Sequence, residues 1–322
     1  MFVIAREQRL CRIGRIQVGG QPGGNPPLLI GSMFHEGDRL VEDRVKRKFD
    51  RTRASDLIKR QAALSAETGI PAVVDLEART ADEMKTYLDF FLDLSDDPFA
   101  IDMWNPKQRI EVARHCAAMG IQNRVIYNSL THFEPDLGET ARELRSLGIR
   151  HVVVQTYKKT PMRPAETVQS LADLLAAIGP DTFETILVDT ASVNLPAIAF
   201  ACVASRLIKE RFGLPTGCCP TAGIFGWKEA RKLWGVEGEK VIDVAEHAVA
   251  SLMWNDFLFY GPIARAPRMF PAMAATEVIR AALRFHETGV LPTEKGNLLN
   301  LFFADFLAQL PDGPPLKIAG GD

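Results

Sequence analysis

The sequence predicts an α/β protein in which eight parallel strands alternate with helices and close into a (β/α)8 barrel. Two observations favour this fold. Short apolar runs, often rich in β-branched residues, recur along the chain with helical patterns between them. The runs end on single hydrogen-bonding residues, and Asp75, Asp102, Asn128, Gln155 and Asp189 follow one another at intervals of 27, 26, 27 and 34 residues. Strands that alternate with helices in this way are typical of parallel β/α units.

The eight strands are predicted near residues 27–33, 71–76, 98–103, 124–129, 150–157, 184–190, 214–219 and 250–257. Their continuous apolar character fits parallel strands that are covered on both faces. A doubly wound sheet is the competing fold, but the segment LLIGSMFHEGD after the first strand lacks the glycine-rich turn of such sheets. No linker rich in Pro, Gly and Ser interrupts the rhythm, so residues 1–322 are predicted to form a single domain.

The segments between the strands carry helix start and stop signals. Thr80 and Glu83 form a capping box at one helix start, and Gly69 ends the preceding helix. Asn105 and Pro106 occupy the N-cap and the first position of the next helix.

Segments outside the barrel also have recognisable patterns. The N-terminal stretch CRIGRIQVGGQPGGNPP predicts a hairpin that closes the bottom of the barrel. Extra C-terminal helices are predicted in AATEVIRAALRFHETG and NLLNLFFADFLAQL, where they are expected to pack on the barrel or on a second subunit.

The composition limits the classes of partner. The chain has 322 residues, of which 47% are hydrophobic and 24% charged, with a net charge of −2 and a pI near 6.3. This balance predicts no attraction to nucleic acid or to an anionic membrane. The N-terminus lacks a secretory pattern, the longest C-terminal apolar run is too short for a bilayer, and the five cysteines indicate reduced thiols. We therefore expect a cytoplasmic protein without membrane insertion.

In a (β/α)8 barrel the carboxyl ends of the strands surround one open mouth, and active sites lie there. The side chains expected to point into the mouth are Asp75, Asp102, Asn128, Gln155, Asp189 and Asn255. A carboxylate accepts two parallel N–H bonds and an amide both donates and accepts, so this set suits a neutral, flat, nitrogen-rich ligand. The alternative is that such residues cap helices, for which Asn105 and Ser192 are better placed.

Four segments resemble the family formed by the H subunits of tetrahydromethanopterin S-methyltransferases: GGQPGGNPPLLIGSMFHEGDRLV, TGIPAVVDLEA, DDPFAIDMWNP and RVIYNSL. The resemblance runs from about residue 8 to about residue 270 and is most specific in the first 130 residues. It implies a pterin-binding barrel related to methyltetrahydrofolate:corrinoid methyltransferases and dihydropteroate synthases. The activity of bacterial relatives implies methyl transfer between a corrinoid protein and N5 of tetrahydrofolate, in the catabolic direction towards tetrahydrofolate.

The resemblance also assigns roles to residues by strand order. Asp102, Asn128 and Asp189 match the Asp, Asn and Asp that grip the pterin in those barrels. Asp189 would take the 2-amino and N3–H edge, while Asp102 and Asn128 would contact the rest of the ring system.

Other strand-end residues complete the implied site. Asp75 and Glu77 are candidates near the reacting nitrogen, and Gln155 and Asn255 are further pterin-binding candidates. The implied catalytic residues are Asp75, Asp102 and Asn128.

The implied ligands are tetrahydrofolate or 5-methyltetrahydrofolate as substrate and a corrinoid supplied by a partner protein, since no corrinoid-binding D-x-H-x-x-G is present. A homodimer is expected. No metal site is expected, because Cys218 and Cys219 are adjacent on a strand and point to opposite faces, and no Cys-x-x-Cys spacing occurs.

One stretch departs from the corrinoid methyltransferases, which carry an Asn on the seventh strand near the methyl-bearing nitrogen. LPTGCCPTAGIFG has none, and Thr221, Asn194 or Asn255 are the candidates to replace it, with His132 as a candidate proton shuttle. Separately, TYKKTPMRP places basic residues in the fifth loop, where they meet the glutamate tail of folate, an acidic partner or only solvent.

Three alternatives remain open at this point. One is a dihydropteroate synthase-like enzyme, although the seventh-strand region has no basic residue before Lys228. Another is a non-catalytic subunit of a methyltransferase complex. The last is a phosphate-binding barrel enzyme that uses Gly223, Gly226 and Gly261.

Overall fold

The computed structural model describes residues 2–160, 162–179, 181–290 and 297–309. Residues 310–322, which the predicted single domain included, lie outside the described residues. The strands in the described ranges are β1 Leu10–Ile13, β2 Ile16–Gly19, β3 Leu28–Met33, β4 Val41–Asp43, β5 Lys48–Phe49, β6 Ala72–Glu77, β7 Phe99–Asp102, β8 Val125–Leu130, β9 His151–Gln155, β10 Thr185–Asp189, β11 Thr216–Cys218 and β12 Phe257–Pro262.

The helices are α1 Arg51–Thr68, α2 Ala81–Leu92, α3 Pro106–Ala118, α4 Leu137–Ser146, α5 Pro164–Ile178, α6 Leu195–Phe212, α7 Thr221–Gly226, α8 Lys228–Leu252, α9 Ala266–Thr288, α10 Leu298–Phe302 and α11 Ala304–Ala308. The predicted capping box of Thr80 and Glu83 starts α2, and Asn105 caps α3. The N-cap of helix α6 is Asn194, whose side chain accepts a hydrogen bond from the Ala197 N–H, so Ser192 is not the cap. The short hairpin of β4 and β5 was not predicted.

The strands β3 and β6 to β12 form a closed barrel in the order β3-β6-β7-β8-β9-β10-β11-β12, with every neighbouring pair parallel. Helices cross between consecutive strands and cover the outside of the barrel. The predicted (β/α)8 barrel is therefore confirmed. Within the described residues, no helix combines the length and the apolar character needed to cross a bilayer.

The predicted position of the eighth strand is wrong. The apolar residues near 250 belong to the end of α8, and the strand β12 begins only at Phe257. A short apolar run is equally compatible with a buried helix end, and here α8 continues to Leu252. The error matters for the site, because it moves the residues before Phe257 from the mouth to the base of the barrel.

The N-terminal hairpin closes the bottom of the barrel, as predicted. Strands β1 and β2 pair antiparallel, and Cys11, Ile13, Ile16 and Val18 join one buried cluster with residues from seven barrel strands. The barrel residues of this cluster include Leu28, Ile30, Val73, Ala100, Ile126, Val153, Leu187 and Phe257. The lower half of the barrel interior is thus a packed apolar core with the hairpin as its floor.

The C-terminal helix α9 packs against α1 and α8, and α10 packs against α9. The predicted extra helices after residue 270 are therefore observed on the outside of the barrel in the described part of the chain. They do not contribute residues to the barrel interior cluster.

We expect the substitution Ile13→Ala to lower the free energy of unfolding by about 2–4 kcal/mol, because it opens a cavity in the apolar floor. Ile13 is fully buried, whereas Leu10 on the same strand is 53% exposed. Leu10→Ala is the matched control and should change stability by less than about 0.5 kcal/mol. Urea denaturation followed by circular dichroism measures both; equal effects would show that the hairpin is not part of the core.

Candidate active site at the mouth of the barrel

A layer of polar side chains lies directly above the apolar floor. Successive strand residues alternate between the two faces, so a residue two positions after an inward-facing one also faces inward. The inward-facing apolar residues are Val73, Ala100, Ile126, Val153 and Leu187. Two residues further along the same strands stand Asp75, Asp102, Asn128, Gln155 and Asp189. The structure places these five residues at one end of the barrel, where the sequence predicted them.

Strand register places these side chains side by side. Glu77 on β6 pairs with Asp102 on β7, and Asp102 pairs with Asn128 on β8. On the next strands Gln155 pairs with Asp189. The register therefore pairs hydrogen-bonding groups across β6, β7 and β8 and again across β9 and β10, whereas Asn128 pairs with Val153 where the two sets meet. The two sets together form the polar row at the mouth.

Two hydrogen bonds tie amides to carboxylates within this row. The Asn128 Nδ2 donates to Asp75 Oδ2 at 3.2 Å, and the Gln155 Nε2 donates to Asp189 Oδ2 at 3.0 Å. The other Asp189 oxygen, Oδ1, accepts from the Ala191 backbone N–H at 2.8 Å. Asp75 Oδ1 is buried without a hydrogen-bond partner. A buried polar atom in this state is available to a bound ligand.

Three carboxyl groups are crowded at the β6–β7 side of the mouth. Asp75, Glu77 and Asp102 each offer an oxygen within 4.8 Å of the others. Burial, and next the charges of Asp102 and Glu77, raise the pKa of Asp75 well above its usual range. Burial and the neighbouring Asp102 raise the pKa of Glu77 to about 8. Near neutral pH Glu77 therefore holds a proton and can donate a hydrogen bond.

The guanidinium group of Arg109 lies close enough to Asp102 to affect its pKa. Burial raises the pKa of Asp102 to about 6, while Arg109 opposes this rise. The Arg109 side chain is buried, donates to the Met103 carbonyl and forms an ion pair with Glu134. At neutral pH the cluster thus contains the ionised carboxylate of Asp102 beside the protonated carboxyl group of Glu77. Sequence reasoning missed Arg109, since a basic residue in the first turns of a helix carries no signal of burial.

Asp189 lies on the opposite side of the mouth from this acid cluster. It is 4% exposed, and burial raises its pKa, which the Gln155 amide and the Ala191 N–H act to lower. These two donors hold both carboxylate oxygens in place and prepare the group to accept N–H bonds.

The seventh strand contributes a glycine and a thiol. A Cβ at Gly217 would lie 2.5 Å from the Phe257 ring, so only glycine leaves room for that ring. Cys219, two residues later, lies near Asp189, and burial raises the pKa of its thiol to about 12. Cys218 packs instead in the apolar cluster between the barrel and the helices. The sequence predicted only that Cys218 and Cys219 point to opposite faces of the strand, and the structure places Cys219 on the side of the mouth.

The proposed replacements for the missing seventh-strand Asn lie elsewhere. The Thr221 hydroxyl faces outward to Asp243 and Arg265, at 3.4 Å and 3.2 Å. Asn194 caps α6. His132 contacts the Ser170 hydroxyl on α5 at 2.7 Å, and burial lowers the pKa of its ring. These contacts hold all three side chains away from the acid cluster.

Of the six strand-end residues expected to point into the mouth, Asn255 is the one that the structure places elsewhere. It precedes β12 and is fully buried at the base of the barrel. Its Nδ2 donates to the Ala250 carbonyl at 2.8 Å, and its Oδ1 accepts from the Ser205 hydroxyl at 2.8 Å. Asn255 therefore provides a hydrogen-bond donor for a backbone carbonyl in the last turn of α8. Its prediction as a pterin ligand at a strand end is wrong.

A second polar cluster lies outside the barrel beside the seventh and eighth loops. Asp243, Glu246 and His247 on α8 have ligand atoms within 4.8 Å of one another, which is a spacing that metal ligands use. Both Asp243 oxygens, however, already accept from the guanidinium groups of Arg265 and Arg268. Two guanidinium groups that already bind one carboxylate disfavour the binding of a metal cation there.

The same cluster argues against a phosphate site. A Cβ on Gly223 would lie 2.4 Å from Glu246 Oε2, so a carboxyl group occupies the space beside this glycine. At Gly261 the corresponding space is filled by the Thr221 side chain at 2.8 Å. The loops that hold phosphate in many barrels are therefore already filled by side chains here.

We expect Glu77→Gln to stabilise the protein at alkaline pH. The folded-state pKa of Glu77 is raised to about 8 from a usual value of 4.5, so wild-type stability falls as the pH rises between these values. Glutamine carries no ionisable group and avoids this loss. One pKa unit corresponds to about 1.4 kcal/mol, and we expect a gain of about 1–3 kcal/mol at pH 8.5 and little at pH 5.

Thermal unfolding of both proteins between pH 5 and 8.5 measures this difference. Glu42→Gln, at an exposed glutamate, is the control and should follow the wild-type pH profile. A pH-independent difference between Glu77→Gln and the wild type would contradict the raised pKa.

Comparison with solved structures supports the fold. A dihydropteroate synthase from Xanthomonas albilineans, in complex with indole-2-carboxylic acid and 6-chloroguanine, matches with a TM-score of 0.57 and 15% identity over 85% of this chain and 99% of that chain. The Thermus thermophilus dihydropteroate synthase in complex with 6HMPPP matches with a TM-score of 0.56 and 17% identity, covering 84% of this chain and 100% of the other. At these identities the likeness shows a shared barrel fold.

Comparison with sequences identifies the family. Residues 6–292 match the family model of the tetrahydromethanopterin S-methyltransferase MtrH subunit. The H subunit of the tetrahydromethanopterin S-methyltransferase from Methanosarcina acetivorans is 30% identical over 302 residues, 87% of this chain and 92% of the relative. The corresponding protein from Methanothermobacter marburgensis is 31% identical over 296 residues, 86% of this chain and 93% of the relative. The chain therefore belongs to the MtrH family of methyltransferase subunits.

Proposed function

We propose that this protein is a methyltransferase that moves a methyl group between a corrinoid-binding protein and N5 of tetrahydrofolate. The observation that supports this most is the row of Asp102, Asn128 and Asp189 at the mouth, in a chain of the MtrH family. These groups match the nitrogen-rich edge of a pterin. The proposed direction is from the methylated corrinoid to tetrahydrofolate, in cytoplasmic catabolic one-carbon metabolism.

Asp189 has the geometry to hold one end of the pterin. Its two oxygens accept from Gln155 and from the Ala191 N–H, which orients the carboxylate rigidly. The 2-amino group and N3–H of a pterin are two parallel donors, which a carboxylate accepts together. In the proposed complex the ligand shares Asp189 with the Ala191 N–H, and Gln155 turns to another pterin atom.

Asp102 and Asn128 are proposed to contact the remaining polar atoms of the two rings. Asn128 already donates to Asp75, so it links the pterin-binding row to the acid cluster. Fixing the ring plane in this way also fixes the direction in which the N5 substituent points.

Asp75 and Glu77 are proposed to donate a proton to N5 or to accept one from it. Glu77 is protonated near neutral pH because burial and the neighbouring Asp102 raise its pKa to about 8. Burial and neighbouring charges also raise the pKa of Asp75. In transfer away from folate, a donated proton or hydrogen bond makes N5 a better leaving group. In transfer towards folate, the N5–H proton leaves as the N–CH3 bond forms, and the ionised form of the same cluster accepts it.

The corrinoid supplies the centre that gives up or accepts the methyl group, and we propose that it arrives on a separate protein. The rim offers apolar contact for such a partner. Trp104 and Phe133 lie on the loops after β7 and β8, and Phe225 lies on the short helix α7 after β11. Their exposed fractions are 99%, 61% and 57%. Exposed aromatic residues of this kind are enriched at protein interfaces. A homodimer is also part of the proposal.

The alternatives receive less support from the site. A synthase that uses a diphosphate substrate needs basic residues at the late strands, where Glu246 and Thr221 fill the space beside the loop glycines. A subunit without catalytic activity does not need a buried acid cluster, which lowers stability at alkaline pH.

We expect tetrahydrofolate to bind the wild type with micromolar affinity and Asp189→Asn at least about 30-fold more weakly, since one acceptor of two N–H groups is lost. Isothermal titration calorimetry measures both affinities. Asp96→Asn is the control, because Asp96 is an exposed aspartate at the opposite end of the barrel. Absence of binding to the wild type, or equal binding to Asp189→Asn, would overturn the pterin site.

We expect methyl transfer from 5-methyltetrahydrofolate to reduced cobalamin to slow as the pH rises through about 8, where Glu77 loses its proton. In Glu77→Gln the rate should fall by up to about 100-fold, and this alkaline decline should disappear. Stopped-flow absorbance of the corrinoid follows the reaction. An unchanged pH profile in the variant would show that Glu77 is not the acid.

A further inference from the structure

A cavity of about 190 Å³ lies between the loops that follow β9 and β10. Its walls are mainly apolar and aromatic, and the residues that matter here are Tyr157, Lys159, Met162, Val193, Ala197 and Phe200. The first turns of α6 form one side of it, and the fifth loop forms the other. None of these residues belongs to the polar row at the mouth.

The cavity lies beside the polar row, next to the ends of two strands. Gln155 ends β9, and Tyr157 follows two residues later in the cavity wall. Asp189 ends β10, and Ala191 follows in the same wall while its N–H donates to Asp189 at 2.8 Å. A ligand held by Asp189 therefore has this cavity as its immediate neighbour on the β9–β10 side.

The rim of the cavity carries a cation that is free to rearrange. The Lys159 side chain is 66% exposed, and its Nζ lies 3.0 Å from the Glu166 carboxylate. An exposed pair of this kind is weak, so a ligand carboxylate can compete for the lysine. Lys158 is different, because its Nζ is bound to Asp173 at 2.7 Å and it does not line the cavity.

We propose that this cavity binds the tail of the folate, a flat aminobenzoyl ring followed by the carboxylates of glutamate. The ring would pack between Tyr157, Val193 and Phe200, and a carboxylate would meet Lys159 at the rim. An aromatic ring suits apolar and aromatic walls, and an anion suits the exposed ammonium. This inference rests on the proposed pterin site, and it adds to that site the contacts that distinguish folate from a bare pterin.

The proposal makes the tail a separate contribution to affinity. Wild-type protein should bind tetrahydrofolate at least about tenfold more tightly than 6-methyltetrahydropterin, which has the same ring system without the tail. Both ligands share the Asp189 contact, so the difference between them reports on the cavity alone.

Two variants test the cavity by calorimetry with both ligands. Ala197→Phe fills it, and Lys159→Ala removes the cation. Ala197→Phe should weaken tetrahydrofolate binding about tenfold and Lys159→Ala about threefold to tenfold, while the affinity for 6-methyltetrahydropterin stays unchanged. Controls are Val203→Phe, which places the same ring on the exposed side of α6, and Lys158→Ala, which removes a neighbouring lysine outside the cavity.

The outcomes separate this inference from the proposed function. Binding of 6-methyltetrahydropterin to the wild type, lost in Asp189→Asn, supports the pterin site whatever the cavity does. Equal wild-type affinities for the two ligands, or equal losses for both ligands in the cavity variants, overturn the tail subsite alone. Failure of the wild type to bind either ligand overturns both.

Discussion

The two-residue alternation of the barrel strands is the constraint on which the site depends. Along each strand, the inward-facing residues must be apolar at the bottom, where the hairpin closes the barrel, and polar at the mouth. Val73 and Asp75, or Leu187 and Asp189, show this change within a single step of two residues. A shift of register by one residue would turn both the apolar floor residues and the polar residues of the mouth towards the helices. Packing of the floor and placement of the site are therefore set by the same register.

Crowding of acids at the mouth is tolerated because the lower half of the barrel is well packed. Asp75, Glu77 and Asp102 disfavour one another's ionised forms, and Asp75 Oδ1 has no partner. Such an arrangement lowers the stability of the protein in the absence of a ligand, and proteins keep destabilising arrangements of this kind at functional sites. The Arg109–Glu134 pair limits the cost by keeping a positive charge near Asp102.

Most of the fold and part of the site could be predicted from the sequence, for identifiable reasons. Apolar runs and capping signals are local, so seven strands and the floor hairpin were placed correctly. The position of Asp102, Asn128 and Asp189 at the mouth could be predicted because each of them ends an apolar run that forms a strand. Asn255 was misplaced because SLMW is an apolar helix end that looks like a strand. Arg109 and Cys219 were missed because their positions depend on packing between loops and on register, which leave no local pattern.

The hairpin floor has a consequence for how the chain reaches its native state. Ile13 and Val18 leave the ribosome long before Phe257, their packing partner in the last barrel strand. The floor cannot be completed until almost all of the strands have been synthesised. During that interval the apolar face of the hairpin remains exposed to solvent or to other chains, so nascent protein is open to aggregation and to capture by chaperones.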